Sequence, residues 1–336
     1  MSRKKLYGIW DNFATFDRLM RGFYRAASGK FNREAVLSFN SRLEPNIFKI
    51  RDELLEEKYE WGTYRQFWVT DPKTRLIESA PFRDRIVHQA MVEVLEPWID
   101  PSFYDHSYAC RSGKGTHAAA RLVQGWASKF HDQHYLQMDV AKFFPSINRD
   151  ILFKLVTRKI GDIKMIRLIE SLLRNSPGAG GIPIGNLTSQ LFANLYLDPL
   201  DQYIKRVLRV RHYVRYMDDF VIIHPSRSQL EIYRKQIEQF GEENLKIRFH
   251  PNKVILNRVD AGIGFVGFRS APNGLFLRGR SIRRFRKRLL EKMTLDKKVK
   301  RLLSYQGHLK HAKDSVRLIS SFQKIAFPEG SFKVRP

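Results

Sequence analysis

The chain has 336 residues, 43% of them hydrophobic, enough to bury a core and room for one large domain or two to three smaller ones. Lysine and arginine number 60 against 34 acids, a net charge of +26 with a pI near 10.2, an excess that points to nucleic acid ahead of an anionic membrane surface. No stretch nears the roughly 18 uninterrupted apolar residues of a membrane span, the start MSRKKLYGIWDNF lacks a signal-peptide core, and one cysteine, Cys110, rules out an internal disulfide or a cysteine-rich metal site, so a soluble, cytoplasmic protein with no membrane partner is expected.

The N-terminal third reads as helices, around FDRLMRGFYRAA and SRLEPNIFKIRDELLEEK. The alternating stretch YRQFWVTDPKTRLIESAPF then predicts two strands joined by a tight turn at Asp71-Pro72. HYLQMDVAKFFPSINRD is a short apolar strand ending at Asp139. The chain re-enters a helix at Asn148, an N-cap with Asp150 in the first turn and Ile151, Leu152, Leu155, Val156 and Ile160 as the buried face. Beyond the loop SPGAGGIPIG a second helix carries Leu187, Leu191 and Leu195, and RHYVRYMDDFVIIH reads as strand, tight turn, strand. Together they predict an α+β layer, with helices on one face of a mainly antiparallel sheet. There is no internal repeat and no low-complexity linker.

The charge is uneven. From Phe276 onward, 18 lysines and arginines face 4 acids, so +14 of the net +26 sits in a basic C-terminal module. There SIRRFRKRLLEKM places Ile282, Phe285, Leu289 and Met293 at helical spacing, with Arg283, Arg284, Arg286 and Lys287 on the other face as candidate contacts to nucleic acid. Six to ten phosphate contacts would give a salt slope of about −5 to −9.

In RYMDDFVIIH two aspartates, Asp218 and Asp219, stand side by side at a hairpin tip. Carboxylates forced together repel, so one is driven toward its neutral form unless a cation sits between them. A third carboxylate, Asp139, ends another strand 79 residues before Asp218. Carboxylates at adjacent strand ends would hold two Mg2+ ions about 3.5 to 4 Å apart, one activating an attacking oxygen and the other bridging triphosphate oxygens. That chemistry is phosphoryl or nucleotidyl transfer. Aspartate pairs also occur in turns where each bonds its own backbone, so the pair alone leaves a structural role open.

YMDD after a hydrophobic lead-in, with DVAKFFPSI upstream, resembles the polymerase motifs of reverse transcriptases, and the resemblance covers most of the chain. PKTRLIESAPFRDRIVHQA looks like the fingers motif whose basic residues grip the incoming triphosphate, SYACRSGKGTHAA like the next fingers block, and HPNKVIL like the lysine-bearing motif after the catalytic hairpin. GFVGFR looks like the primer grip and SYQGHLKHA like thumb sequence of bacterial, intron-type enzymes. The resemblance implies that Asp139 and Asp218 ligate both Mg2+ ions with the Val140 carbonyl, with Asp219 in support. It places Lys73 and Arg75 on the deoxynucleoside triphosphate. Phe144 would be the gate that clashes with a ribose 2′-hydroxyl, or else a core residue beside Phe143; Lys253 would protonate departing pyrophosphate, or else be a strand-edge lysine. Arg111 and His117 would line the nucleic-acid channel, or else be a satisfied pair within the fingers, and Phe265 and Gly267 of the primer grip would contact nucleic acid.

The block GIPIGNLTSQ narrows the family. Most reverse transcriptases carry glutamine-glycine here and serine-proline four residues later, whereas this chain has Ile184-Gly185 and Ser189-Gln190, similar to the enzymes of diversity-generating retroelements. Those enzymes copy a template-repeat RNA into cDNA with frequent errors opposite adenine, and they work with a small basic accessory variability protein that forms a ring-shaped oligomer. Physically, Gly185 lets backbone approach the nascent base pair where a Cβ would intrude. Isoleucine in place of an amide removes a hydrogen bond worth about 0.5–1.5 kcal/mol, and about 1.4 kcal/mol is tenfold in selection. Ile184, Gly185 and Gln190 are candidate nucleotide-binding positions, with Ile184 otherwise a packing residue under the helix. The implied architecture is a right-hand polymerase with fingers over 1–135, palm over 136–275 and a basic helical thumb over 276–336, acting on an RNA template, a cDNA primer and deoxynucleotides. A chain ending soon after the thumb predicts no RNase H, maturase or endonuclease domain. Two alternatives remain at this point: another bacterial reverse transcriptase of the intron-derived or phage-defence type, and a non-catalytic RNA-binding protein on a polymerase fold.

Overall fold

The computed structural model describes residues 5–70 and 74–327, so Lys73 and the expected Asp71-Pro72 turn lie outside the described residues. Four helices come first, α1 (Trp10–Phe13), α2 (Phe16–Ala27), α3 (Glu34–Asn40) and α4 (Leu43–Leu55), followed by the antiparallel pair β1 (Arg65–Val69) and β2 (Arg75–Ser79) and the long α5 (Phe82–Ile99). Then come α6 (Thr116–Lys129), β3 (His134–Asp139), the single turn α7 (Phe143–Ser146), α8 (Arg149–Lys159), α9 (Ile163–Asn175) and α10 (Leu187–Gln202). A hairpin of β4 (His212–Tyr216) and β5 (Asp219–His224) leads to α11 (Arg227–Leu245) and β6 (Ile255–Arg258). A three-stranded sheet, β7 (Ile263–Phe265), β8 (Phe268–Ala271) and β9 (Gly274–Leu277), precedes α12 (Gly279–Leu290), α13 (Leu295–Leu309) and α14 (Ser315–Ala326).

The chain passes back and forth between two compact units. One holds residues up to 105 with 140–209 and 235–250; the other holds 106–139, 210–234 and 251 onward.

In the first unit, local chemistry sets the helix starts. The Asn148 side chain accepts from the Ile151 amide at 3.0 Å, as expected of an N-cap, and Asp150 complements the positive end of α8. Asp162 serves two helices at once: Oδ1 accepts from the Met165 amide of α9, while Oδ2 accepts from the amides of Ile9 and Trp10 at the start of α1. α10 is buried on nearly every side, from Thr188 through Asp201, and packs on α5 and α8. Facing it, His88 of α5 is fully enclosed, its ring 5.0 Å from that of Trp61 and its Nδ1 2.9 Å from the Thr188 hydroxyl.

Burial pushes the His88 imidazole down to about 3. The unfolded chain takes up that proton below roughly pH 6.5 while the folded chain does not, so folding should lose about 1.4 kcal/mol per pH unit on acidification, from this residue alone, until the folded group titrates. His88→Asn should therefore unfold with an acid-side pH slope shallower by one proton. Equal slopes in urea titrations of the two proteins would disprove it.

In the second unit the sheet order is β4-β5-β3-β6, antiparallel throughout. Tyr135, Gln137 and Asp139 share one face with Asp219, Val221, Ile223, Val214 and Tyr216, because alternate residues point the same way. The apolar members of that face pack with Ala119, Val123 and Ala127 of α6. Leu136, Met138, Tyr213, Phe220 and Ile222 on the opposite face are also buried. The antiparallel sheet backed by a helix is as expected, and β3 and β5 each carry four consecutive buried residues, apolar but for Gln137, the pattern of strands shielded on both sides.

The basic module folds as α12, α13 and α14 around Phe285, Tyr305 and Phe322, with the Phe285 and Tyr305 rings stacked 4.0 Å apart. Phe268, Leu275 and Leu277 of the three-stranded sheet complete this cluster. Ile282, Phe285 and Leu289 face inward as the spacing predicts, but α12 ends at Leu290, so Met293 lies in the connection to α13 rather than on the helix.

Candidate active site

The pairing register brings two distant carboxylates face to face. Asp139, the last residue of β3, is the cross-strand partner of Asp219, the first residue of β5. Tyr216 also pairs with Asp219, leaving Met217 and Asp218 as a two-residue loop at the strand tip. Met217 takes φ +57°, a left-handed conformation that costs an L-residue roughly 1–2 kcal/mol. Hydrogen bonds help hold that hairpin tip: the fully buried Arg215 donates through Nη1 to the Met217 carbonyl at 2.9 Å, and the Tyr216 hydroxyl lies 3.0 Å from that of Thr116 in α6.

Asp219 is held by Gln137, whose Nε2 donates to Oδ1 at 2.8 Å and Oδ2 at 3.1 Å and also reaches the Gly264 carbonyl at 3.1 Å. Burial, then the charges of Asp139 and Asp218, outweigh that bond and the nearby Arg278 and push the Asp219 carboxyl up to about 7. Asp139 accepts from the Lys253 ammonium, which sits in the turn Pro251–Lys253 just before β6.

This donor set suits a hard divalent cation. Its side-chain donors are all carboxylate oxygens, and the repulsion between them at Asp219 is what such an ion would relieve. Among the described residues no three His, Cys, Asp or Glu side chains form a ready-made cage. The fit is therefore to an ion that brings further oxygen ligands with it, as Mg2+ does with waters and substrate phosphates.

Other expected residues are placed as follows. Val140 is buried and bridges to Phe249 in antiparallel fashion, and the Phe144 ring is half-exposed on α7, 5.5 Å from that of Phe143. In the first unit, Gly185 and Gln190 line a cavity of about 270 Å³ shared with Lys30, Arg85 and His88, while Ile184 is half-buried. Arg75 stands exposed at the start of β2. An added Cβ at Gly185 would meet the Glu78 carbonyl at 3.6 Å and Ile77 at 3.8 Å, ordinary contact distances. Within the chain, then, glycine is required less by crowding than by its φ of +127°. Gly185→Ala should destabilise the protein by about 1–3 kcal/mol; unchanged denaturant midpoints would refute the strain.

Phe265 departs from expectation. It is fully buried with Tyr135, Val214 and Val221, so its side chain is core and does not offer a surface to nucleic acid. The adjoining turn Val266-Gly267, with φ of +43° and +89°, is what reaches the surface. Arg111 is half-buried and donates to the Ser107 carbonyl, His117 packs against His308 and His311, and Arg283, Arg286 and Lys287 are exposed along α12, with Arg284 half-buried.

Gln137, Arg215 and the cavity residues Arg85 and His88 escaped the sequence reading. Gln137 had a usable signal, a lone polar residue in an apolar strand two positions before Asp139 and hence on its face.

Residues 70–269, more than half of the chain, match the family model described as Reverse transcriptase (RNA-dependent DNA polymerase). The chain belongs to the reverse transcriptase family. Among the relatives of this reverse transcriptase, Protein YkfC of Escherichia coli K12 is 26% identical over 274 residues, 68% of this chain and 72% of YkfC. The group II intron-encoded protein LtrA of Lactococcus lactis subsp. cremoris is 22% identical over 301 residues, 67% of this chain and 49% of LtrA, so the chain spans about half the length of that relative. A structure of telomerase from Candida albicans superposes with a TM-score of 0.54 at 9% identity, covering 82% of this chain and 56% of the other. At that identity the likeness is one of fold, the right-hand polymerase arrangement of helices with antiparallel sheets. Among the described residues no helix is long and apolar enough to cross a membrane.

Proposed function

We propose that the chain is an RNA-directed DNA polymerase that extends a primer 3′-hydroxyl on an RNA template with deoxynucleotides, and that Asp139, Asp218 and Asp219 are its reaction centre. The observation that carries this reading is the register of Asp139 on Asp219 with Asp218 at the adjoining turn, three carboxylates gathered from strands distant in sequence. Two Mg2+ ions held by Asp139 and Asp218, with the Val140 carbonyl, would supply charge stabilisation for the phosphoryl group and activation of the attacking oxygen. Gln137 orients Asp219 through its amide, and Arg215 keeps the turn in the conformation that presents Asp218. Lys253, whose ammonium donates to Asp139, would pass a proton to departing pyrophosphate. Phe144 selects against ribose, and Lys73, Arg75, Ile184, Gly185 and Gln190 contact the incoming nucleotide or its template base. Arg111, His117, Gly267 and the cations of α12 hold the nucleic-acid backbone. On this reading the fingers run to about residue 135, the palm to about 275 and the thumb beyond.

The finer reading is the error-prone enzyme of a diversity-generating retroelement, supported by Ile184-Gly185 and Ser189-Gln190 and by the position of Gly185 and Gln190 on one cavity. Such an enzyme would act with a small basic oligomeric accessory protein. A second reading, an intron-type enzyme of ordinary fidelity, is favoured by the likeness to the group II intron-encoded LtrA. Primer extension on a defined RNA with magnesium, followed by sequencing of the cDNA, separates them. Errors concentrated opposite template adenines support the first; rare, evenly spread errors leave the second.

A further inference from the structure

Three imidazoles meet in the second unit. The His117 ring, at the second position of α6, lies 3.8 Å from the His311 ring and 5.4 Å from the His308 ring, and His308 in the last turn of α13 lies 4.7 Å from the Phe268 ring. His117 Nδ1 is buried without a hydrogen-bond partner among the described residues, and so is Arg284 Nε of α12. The charges acting on the cluster from α6, α12 and the end of α13 are positive. Arg121 of α6 and Lys310 after α13 act on His117 and His311, Arg284 acts on His308, and the rings act on one another. β8 offers the uncharged Phe268, and Asp314, which precedes α14, pairs with Arg317 at 3.7 Å. Burial first, and then these cations, lower all three imidazoles from the ordinary histidine value, which favours their neutral form in the free protein.

A metal ion suits this place poorly, since Arg121, Lys310 and Arg284 would repel it and no metal-ligand set of three converges among the described residues. An anion suits it well. It would meet three half-exposed imidazoles flanked by three cations, and its charge would draw protons onto the rings. We propose that His117, His308 and His311, with Arg121, Arg284 and Lys310, form a proton-linked seat for a backbone phosphate of bound nucleic acid. Each ring that engages the phosphate takes one proton from solvent. The inference rests on the polymerase reading, which supplies the polyanion, and it accounts for both histidines of SYQGHLKHA, to which the reaction centre assigns nothing.

The test is the affinity of the full chain for a labelled RNA–DNA heteroduplex at constant ionic strength, between about pH 8 and about pH 6, a range in which unperturbed histidine titrates. Affinity of the wild type should rise on acidification, by up to about tenfold per pH unit for each proton taken up. The double variant H308Q/H311Q should lose at least half of that slope. H311R, which carries a permanent charge, should bind more tightly than wild type at the alkaline end with a flatter slope, and this arm guards against a double variant that fails to fold. Slopes equal in wild type and both variants overturn the seat. If inorganic pyrophosphate at matched ionic strength competes the pH-dependent part away, the seat takes a free polyphosphate and the backbone assignment is overturned. A wild type that binds no heteroduplex at any pH overturns the polymerase reading along with the seat, whereas binding with no pH slope overturns the seat alone.

Discussion

Asp218→Asn should lower template-directed extension by at least about a thousandfold while leaving affinity for an RNA–DNA heteroduplex within about threefold of wild type. A thousandfold is about 4 kcal/mol of transition-state stabilisation, within what charge stabilisation at a phosphoryl centre supplies when one carboxylate is neutralised. Binding should survive because it draws on the separate surplus of cations in the C-terminal module, where salt-dependent phosphate contacts accumulate. Asp218 sits on a two-residue loop that Arg215 braces through the Met217 carbonyl, a bond the substitution leaves in place. Extension within tenfold of wild type would move the reaction centre elsewhere. Wild type and variant equally inert, with both still binding RNA, would favour a non-catalytic protein on a polymerase fold.

Asp219→Asn should make the metal-free protein more stable while weakening extension. The folded Asp219 carboxyl titrates at about 7, far above an unfolded aspartate, because burial and the neighbouring carboxylates disfavour its charge. An acid whose folded pKa is raised binds its proton more tightly in the folded state, so stability falls as pH climbs from the unfolded value toward 7, and the loss is complete above it. Allowing for solvent near the hairpin tip, the penalty is about 1–3 kcal/mol. Asparagine keeps an oxygen to accept from Gln137 and removes the charge, so the variant should unfold at higher urea near pH 8 and match wild type near pH 4, both in chelator. Magnesium should then raise the melting temperature of wild type more than that of the variant, since a ligand stabilises only the state that binds it. A stability difference independent of pH would sink the argument.

Much of this was available from residue patterns. Periodicity placed α2 and α10, Asn148 announced the start of α8 by its capping chemistry, and the YMDD hairpin announced its own turn. Such features depend on neighbours within a few positions, and those are written side by side in the chain. Met293 shows the limit, since apolar spacing continued past the point where the α12 backbone stops. Phe265 shows another: within GFVGFR nothing distinguishes a ring that meets a ligand from one that fills the core, and its place beside Tyr135 and Val221 decides.

The sequence was sufficient for the carboxylates themselves, their chemistry and the basic surplus that accompanies them, because charge and residue type are local properties. Only the folded chain determined that Asp139 is paired with Asp219 rather than some other residue, that Gln137 rather than the turn backbone holds Asp219, and that His117 meets two histidines from α13 and its end. Those relations join residues dozens to hundreds of positions apart. They are set by strand register and by packing, where a slip of one residue would turn every side chain to the opposite face.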